Sequence, residues 1–232
     1  MTRYEIAGLA VDMDVSGRTF RQAAAYAAPV RGAADLTIRC DVPAYMAANP
    51  DQKDPNMAEY MLTGYLFARE LLKFNGMHLH SSAVMLDGKA YLFSAASGTG
   101  KSTHTEKWCR LFGAQLLNDD KPALRLVDGV WMAYGTPWSG KHDLSTPQGV
   151  PLGGIAFLRR GNVNAITPMA PAQAVQCFMG QTLRKLGMDA MQTQLTLLDQ
   201  LLRTVPVWDL QCLNNDEAAY VSHDAMTKTL SF

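Results

Sequence analysis

The apolar positions of this chain change period several times, and each change marks an element. From Tyr4 to Val15 hydrophobic and polar residues alternate, the two-residue period of a strand with one buried face. An alanine-rich stretch, Thr19 to Ala28, reads as helix, and Leu36 to Cys40 reads as a short strand. The polar, proline-flanked run from Asn49 to Asn56 predicts an exposed loop. Beyond it Met57, Tyr60, Met61, Gly64, Phe67, Ala68, Leu71 and Leu72 recur at helical spacing, with Asn75-Gly76 as the stop. His80 to Leu86 and Lys89 to Ser94 read as strands joined by Asp87-Gly88, and Ala123 to Val127 and Val130 to Tyr134 as strands joined by Asp128-Gly129. Asp-Gly favours the left-handed backbone of a two-residue hairpin, so antiparallel pairing is expected in the main sheet. Gly153 to Leu158 and Val205 to Leu210 predict further strands, while Pro171 to Met179, Ala190 to Arg203 and Asp216 to Met226 predict helices. The pattern gives a mixed α/β (α+β) chain with flanking helices: a small N-terminal α/β subdomain at 1–56, open to being part of the same domain, and a larger domain at 57–232.

Composition narrows the function classes. The 232 residues carry 21 Lys+Arg against 21 Asp+Glu, so no broad basic surface favours nucleic acid or an anionic membrane. No apolar run reaches the roughly eighteen residues of a membrane span, and the start, Met1 to Val15, lacks the plan of a secretory signal, so a cytoplasmic protein is expected. Cys40, Cys109, Cys177 and Cys212 are scattered without a CxxC pair, which reads as reduced core thiols rather than a zinc site or disulfide framework. The thirteen methionines fall mainly at apolar helical positions and read as core.

The chemistry concentrates after the first hairpin. Ala95-Ala96-Ser97-Gly98-Thr99-Gly100-Lys101-Ser102 lies between the strand ending at Ser94 and a helix beginning near Lys101, and fits a phosphate-loop pattern with alanine at its first glycine position. Gly98 and Gly100 can take backbone angles closed to other residues, which turns successive amides toward phosphate oxygens at a helix N-terminus. Lys101 would place a cation on the terminal phosphates and the Ser102 hydroxyl would coordinate Mg2+. The plain alternative is a glycine-rich turn with an exposed lysine. About one helix length on, the apolar strand Leu116-Leu117-Asn118 runs into Asp119 and Asp120, an ordinary acidic turn or a pair that holds metal and activates a hydroxyl. The alternation His78-Leu79-His80 places both imidazoles on one face of a strand beside the one feeding the loop. Gly135 to His142, with Trp138, Lys141 and His142, forms a second glycine-bounded loop that either closes over a ligand or plugs the core edge with Trp138. Arg159 and Arg160, at a strand end, are candidates to present a guanidinium to phosphate or simply to water.

Together His80-Ser81-Ser82-Ala83-Val84, the fifteen-residue step to Ala95, the SGTGKS loop and LLNDDKPALR resemble the kinase domain of HPr kinase/phosphorylase. A more distant resemblance is to the nucleotide-binding part of ATP-dependent phosphoenolpyruvate carboxykinase. The resemblance runs from about Gly76 to Gly161, under half the chain. It implies a P-loop phosphoenolpyruvate carboxykinase-like core, with 57–232 as an ATP-binding kinase domain. It also implies that Gly98 to Ser102 bind ATP, that Ser102 and Asp119 serve Mg2+, that Asp120 is the base, and that His80 is the active-site histidine. Lys101 becomes both phosphate clamp and transition-state stabiliser. The chain lacks that enzyme's glutamate-containing stretch and later arginine-rich substrate loop, and it has no set of decarboxylation residues.

The expected function is therefore a Mg-dependent ATP phosphotransferase acting on an alcohol, with a serine hydroxyl in a peptide or small protein as acceptor. Short relatives resembling this form tailor ribosomally made peptides. A free serine-like small molecule is the next acceptor class, and a non-catalytic nucleotide-sensing or peptide-binding module is the competing reading. Self-association into a homo-oligomer stays open.

Overall fold

The computed structural model describes residues 1–140, 142–183 and 186–228. It begins with a hairpin, β1 (Thr2–Ile6) and β2 (Leu9–Met13), where the alternation had suggested one piece. The turn is Ala7-Gly8, at φ +54° and +70°, and two small residues leave no polar break in the pattern to reveal it. β3 (Leu36–Ile38) joins β2 in parallel. The first helix, α1 (Gly17–Ala23), is shorter than expected and continues as a 3-10 turn through Tyr26. A helix not anticipated, α2 (Val42–Ala48), starts at Asp41, whose carboxylate accepts the Ala44 amide at 2.9 Å. Asp54 caps α3 (Pro55–Leu71) in the same way through the Asn56 amide, and Asn75 at φ +54° ends the run where the sequence placed its stop.

The main sheet contains β4 (Gly76–His78), β5 (Ser81–Leu86), β6 (Lys89–Ser94), β7 (Gln115–Asn118), β8 (Ala123–Val127), β9 (Val130–Tyr134) and β10 (Gly149–Arg160) in the order β4-β8-β9-β10-β6-β5-β7. β12 (Val207–Cys212) lies parallel to β10, and an unanticipated strand, β11 (Ala165–Pro168), pairs with β12. Both Asp-Gly hairpins form, with Asp87, Gly88, Asp128 and Gly129 all at positive φ. β10 extends well beyond the six residues predicted: its first residues pair antiparallel with β9, and its later ones parallel with β6 and β12. The sheet is therefore mixed.

Burial on both faces produces layers around β6 and β10. Ala90, Leu92, Ile155 and Phe157 point into a core with Phe178 of α5 (Pro171–Gln181) and Leu197, Leu198 and Leu201 of α6 (Met188–Thr204). Tyr91, Phe93, Ala156 and Leu158 point to the opposite face, against Trp108 of α4 (Lys101–Phe112) and Ala219 and Met226 of α7 (Asp216–Thr227). Ser222 locks these two helices, accepting from Trp108 Nε1 and bonding His104 Nε2, both at 2.9 Å. A third cluster unites β1, β2 and β3 with Tyr60, Phe67 and Leu71 of α3 and with Trp138. Arg125 adds a polar link, donating to Ala7 O at 2.7 Å and Phe74 O at 3.1 Å. The four cysteines are free and half-buried, and Cys109, Cys177 and Cys212 pack against the core clusters. No helix among the described residues is long and apolar enough to cross a membrane.

Candidate functional site

The glycine loop links β6 to α4, the strand–loop–helix setting that the sequence required. Gly98 has φ +78° and Gly100 φ +119°, and a Cβ at either would meet no atom within 4 Å, so both face open space. Glycine is needed there for its backbone angle and not for want of room. Arg160 Nη2 donates to Gly98 O at 2.6 Å, holding the loop from the end of β10. Lys101 is buried, with Nζ donating to Ala95 O at 3.0 Å. Burial lowers the Lys101 pKa, and the nearby Asp120 and Asp119 oppose that shift. Ser97, Gly98, Gly100, Lys101 and Ser102 line a cleft of about 440 Å³, whereas Ala95, Ala96 and Thr99 shape the loop without lining it.

Asp119, Asp120 and His80 line the same cleft. The acids are placed by Asn118, a fully buried residue at the end of β7. Its Oδ1 accepts the amides of Asp120 and Lys121 at 2.9 and 2.7 Å, while its Nδ2 donates to Thr136 O at 2.9 Å. The side chain thus replaces a backbone acceptor and turns the chain sharply. Ser82 Oγ donates to Asp119 Oδ1 at 2.8 Å and contacts Thr105 Oγ1 at 2.9 Å, fixing one carboxylate oxygen near the first turn of α4. Ser102 and Asp119 are hard oxygen donors suited to Mg2+. Among the described residues no cluster of three or more His, Cys, Asp or Glu could hold a metal, so these two would need phosphate oxygens and water to complete a shell.

His78 and His80 do not share a strand face. The chain leaves the sheet at Leu79-His80, because β4 pairs with β8 whereas β5 pairs with β6 and β7. The His80 backbone is held elsewhere: its amide donates to Gln181 O at 2.8 Å and its carbonyl accepts Ser94 Oγ at 2.8 Å. Its Nδ1 lies 2.8 Å from Gln181 Oε1 and its Nε2 lies 3.3 Å from Asp120 Oδ1. An Nε2 proton facing the carboxylate satisfies the ring when the Gln181 amide is turned to present its NH2 to Nδ1; with Oε1 facing Nδ1, that nitrogen must donate instead. Lys121 Nζ binds the other oxygen, Asp120 Oδ2. Burial alone would raise the Asp120 pKa, but the His80 hydrogen bond and the Lys121 charge outweigh it and lower the value to about 2.

The second glycine-bounded loop packs Trp138 into the core and presents later residues to the cleft. Trp138 is fully buried, stacked on Phe67 at 4.8 Å, with Nε1 donating to Thr63 Oγ1 at 3.2 Å. The next turn is tethered to the N-terminal part of the chain: the Gly140 amide donates to Tyr60 Oη at 3.0 Å, and its carbonyl accepts from Arg18, whose guanidinium lies 4.4 Å from the Tyr60 ring centroid. Gly140 and exposed His142 line the cleft, and Lys141 lies outside the described residues. Arg159 does not reach the loop, because it pairs with Asp209 across β10 and β12 at 2.9 Å; Arg160 takes that position.

Asn118, Ser82, Gln181 and Tyr60 escaped sequence reasoning as site residues. Only Asn118 carried a local signal, an Asn just before a sharp acidic turn.

No family model matches the chain, and no curated protein matches it. Among solved structures, the Hpr(Ser) kinase/phosphatase from Coxiella burnetii is similar at 11% identity, over 64% of this chain and 95% of that one, with a TM-score of 0.38. A likeness that loose assigns no activity.

Proposed function

We propose that this protein is a Mg-dependent ATP phosphotransferase that moves the γ-phosphoryl group to an alcohol, with a serine hydroxyl of a peptide or small protein as acceptor. One observation carries the reading: a glycine loop opening a helix and the Asp120 carboxylate, held by His80 and Lys121, line one cleft. Amides of the loop and the N-terminus of α4 suit phosphate oxygens. Lys101 supplies a buried cation where charge develops on the transferred group. Mg2+ bound by Ser102 and Asp119 would neutralise phosphate charge and orient the leaving group.

Asp120 holds the acceptor hydroxyl. The new oxygen–phosphorus bond forms as the bond to the bridging oxygen of ADP breaks, and the hydroxyl proton passes to Asp120. A carboxylate with a pKa of about 2 is a poor base toward an unreacted alcohol. Phosphoryl transfer asks little of the base until the oxygen–phosphorus bond is forming, when the hydroxyl becomes acidic, so orientation precedes proton acceptance. His80 keeps the carboxylate in place through Nε2 and is itself held by Gln181.

The test is transfer of labelled γ-phosphate from Mg-ATP to serine peptides, compared with Asp120→Asn. The variant should bind Mg-ATP about as well as wild type and lose transfer by about 10²–10⁴-fold, the range for a removed general base. Undiminished transfer in the variant removes Asp120 from this role, and wild type that binds Mg-ATP without transfer to any alcohol supports a nucleotide-sensing module instead.

A further inference from the structure

A second cavity, of about 240 Å³, shares His80 with the cleft and is also lined by Lys121, the residue paired with Asp120. Its walls include Tyr60, Met61 and Gly64 of α3, together with Trp138. Gly64 matters to this shape: a Cβ there would lie 2.8 Å from the Trp138 ring, so only glycine lets helix and indole form a continuous wall.

One buried polar atom beside the cavity has no partner among the described residues. His78 is 8% exposed, lines the cavity, and its Nε2 has no hydrogen-bond partner among the described residues. A buried ring nitrogen left unpaired costs free energy, and such exceptions call for a physical account. Burial first, and then the Lys121 charge, lowers its pKa to about 4, so the ring is neutral at pH 7 and offers one hydrogen bond rather than a charge.

We propose that this cavity is the acceptor pocket, receiving one uncharged, apolar amino-acid side chain adjoining the phosphorylated serine while a backbone polar atom of the same peptide bonds His78 Nε2. The inference rests on the kinase reading for the identity of the neighbouring cleft. Size supports a single residue, since sites for drug-sized ligands span about 300–1,000 Å³. Charge supports an uncharged one. No acid lines the cavity among the described residues, so a cationic side chain would meet only the Lys121 ammonium. A carboxylate would share the single Lys121 ammonium with Asp120 and would face a neutral imidazole at His78. Position supports adjacency, because His80 borders both spaces and contacts Asp120 at 3.3 Å, where the hydroxyl must sit.

The experiment uses the full chain saturated with Mg2+ and a non-hydrolysable ATP analogue, titrated with the capped dipeptides acetyl-Leu-Ser-amide, acetyl-Asp-Ser-amide and acetyl-Lys-Ser-amide by saturation-transfer NMR. The leucyl probe should bind at least tenfold more tightly than either charged probe. Met61 is 48% exposed, so Met61→Trp can obstruct the mouth without disturbing the core; it should weaken the leucyl probe at least tenfold and leave nucleotide affinity unchanged. His78→Phe keeps an aromatic ring and should cost about tenfold, the worth of one hydrogen bond near 1.4 kcal/mol. Equal affinity for all three probes, or leucyl binding unaffected by Met61→Trp, overturns the proposal. Transfer measured in parallel separates the two readings. Leucyl-selective binding without phosphate transfer keeps the pocket and sinks the kinase, whereas transfer with no leucine preference keeps the kinase and sinks the pocket.

Discussion

Asp120→Asn has a consequence for stability that can be measured without any substrate. The Asp120 side chain is 21% exposed, and its pKa falls from 3.8 to about 2 on folding. Burial works against that fall, so it measures the net gain from the His80 hydrogen bond and the Lys121 charge after the desolvation cost. At about 1.4 kcal/mol per unit, the ionised carboxylate contributes on the order of 2 kcal/mol. Because the folded value is depressed, this stability is fully present above the unfolded pKa near 3.8 and is lost as the pH falls through about 2. Roughly half should be gone by pH 3. Asparagine has the same shape and does not titrate. Urea unfolding of both proteins at pH 7 and pH 3 therefore reports on the Asp120 pair as a unit, since groups away from it are the same in both. Wild type should lose about 1 kcal/mol more than the variant over that interval, a difference of about 0.5 M in midpoint for a slope near 2 kcal/mol/M. Parallel losses in the two proteins would refute the ion-pair account of Asp120 and the argument that it waits, ionised, for a hydroxyl.

Other outcomes follow from single contacts. Gly100→Ala should lower Mg-ATP affinity at least tenfold and lower Tm by several degrees, because φ +119° costs an alanine about 1–3 kcal/mol even though its methyl group meets nothing; isothermal titration and thermal unfolding check this. Phe67→Ala removes a fully buried ring stacked on Trp138 and should destabilise by about 3–5 kcal/mol in urea unfolding. Arg160→Ala releases Gly98 O from an exposed guanidinium, so the KM for ATP should rise several-fold while stability stays within about 0.5 kcal/mol of wild type.

The parts of this molecule that were legible in sequence depend on neighbours in the chain. Asp87-Gly88 and Asp128-Gly129 favour a turn whatever surrounds them, and the spacing from Met57 to Leu72 is that of a helix with one largely buried face. The loop and the two acids were recognisable for the same reason and His80 only through the resemblance, and the structure brings them to one cleft. What failed was decided at long range. His78 and His80 alternate as a strand should, yet β8 takes one and Gln181, a hundred residues on, holds the other. Arg159 and Arg160 are indistinguishable by type, and only the register of β10 with β12 sends one to Asp209 and the other to the loop. Ala7-Gly8 hid its hairpin because alanine rarely takes positive φ, and here the fold imposes it. Trp138 was read with two roles at equal weight, and Gly64, whose missing side chain makes its seat, gives no sign of that in the sequence.

β10 carries a consequence for the order of assembly. Its partners are β9, immediately before it, then β6 from far upstream and β12 from some fifty residues downstream. During synthesis the two Asp-Gly hairpins can close within microseconds, but β10 has one flank bare until Val207–Cys212 leaves the ribosome. A nascent chain stopped before that point would hold the whole glycine loop and both acids, yet expose the edge of the strand from which Arg160 steadies the loop. Nucleotide binding should therefore emerge late in synthesis, when the C-terminal strand docks, even though every residue that would touch the phosphates was made long before.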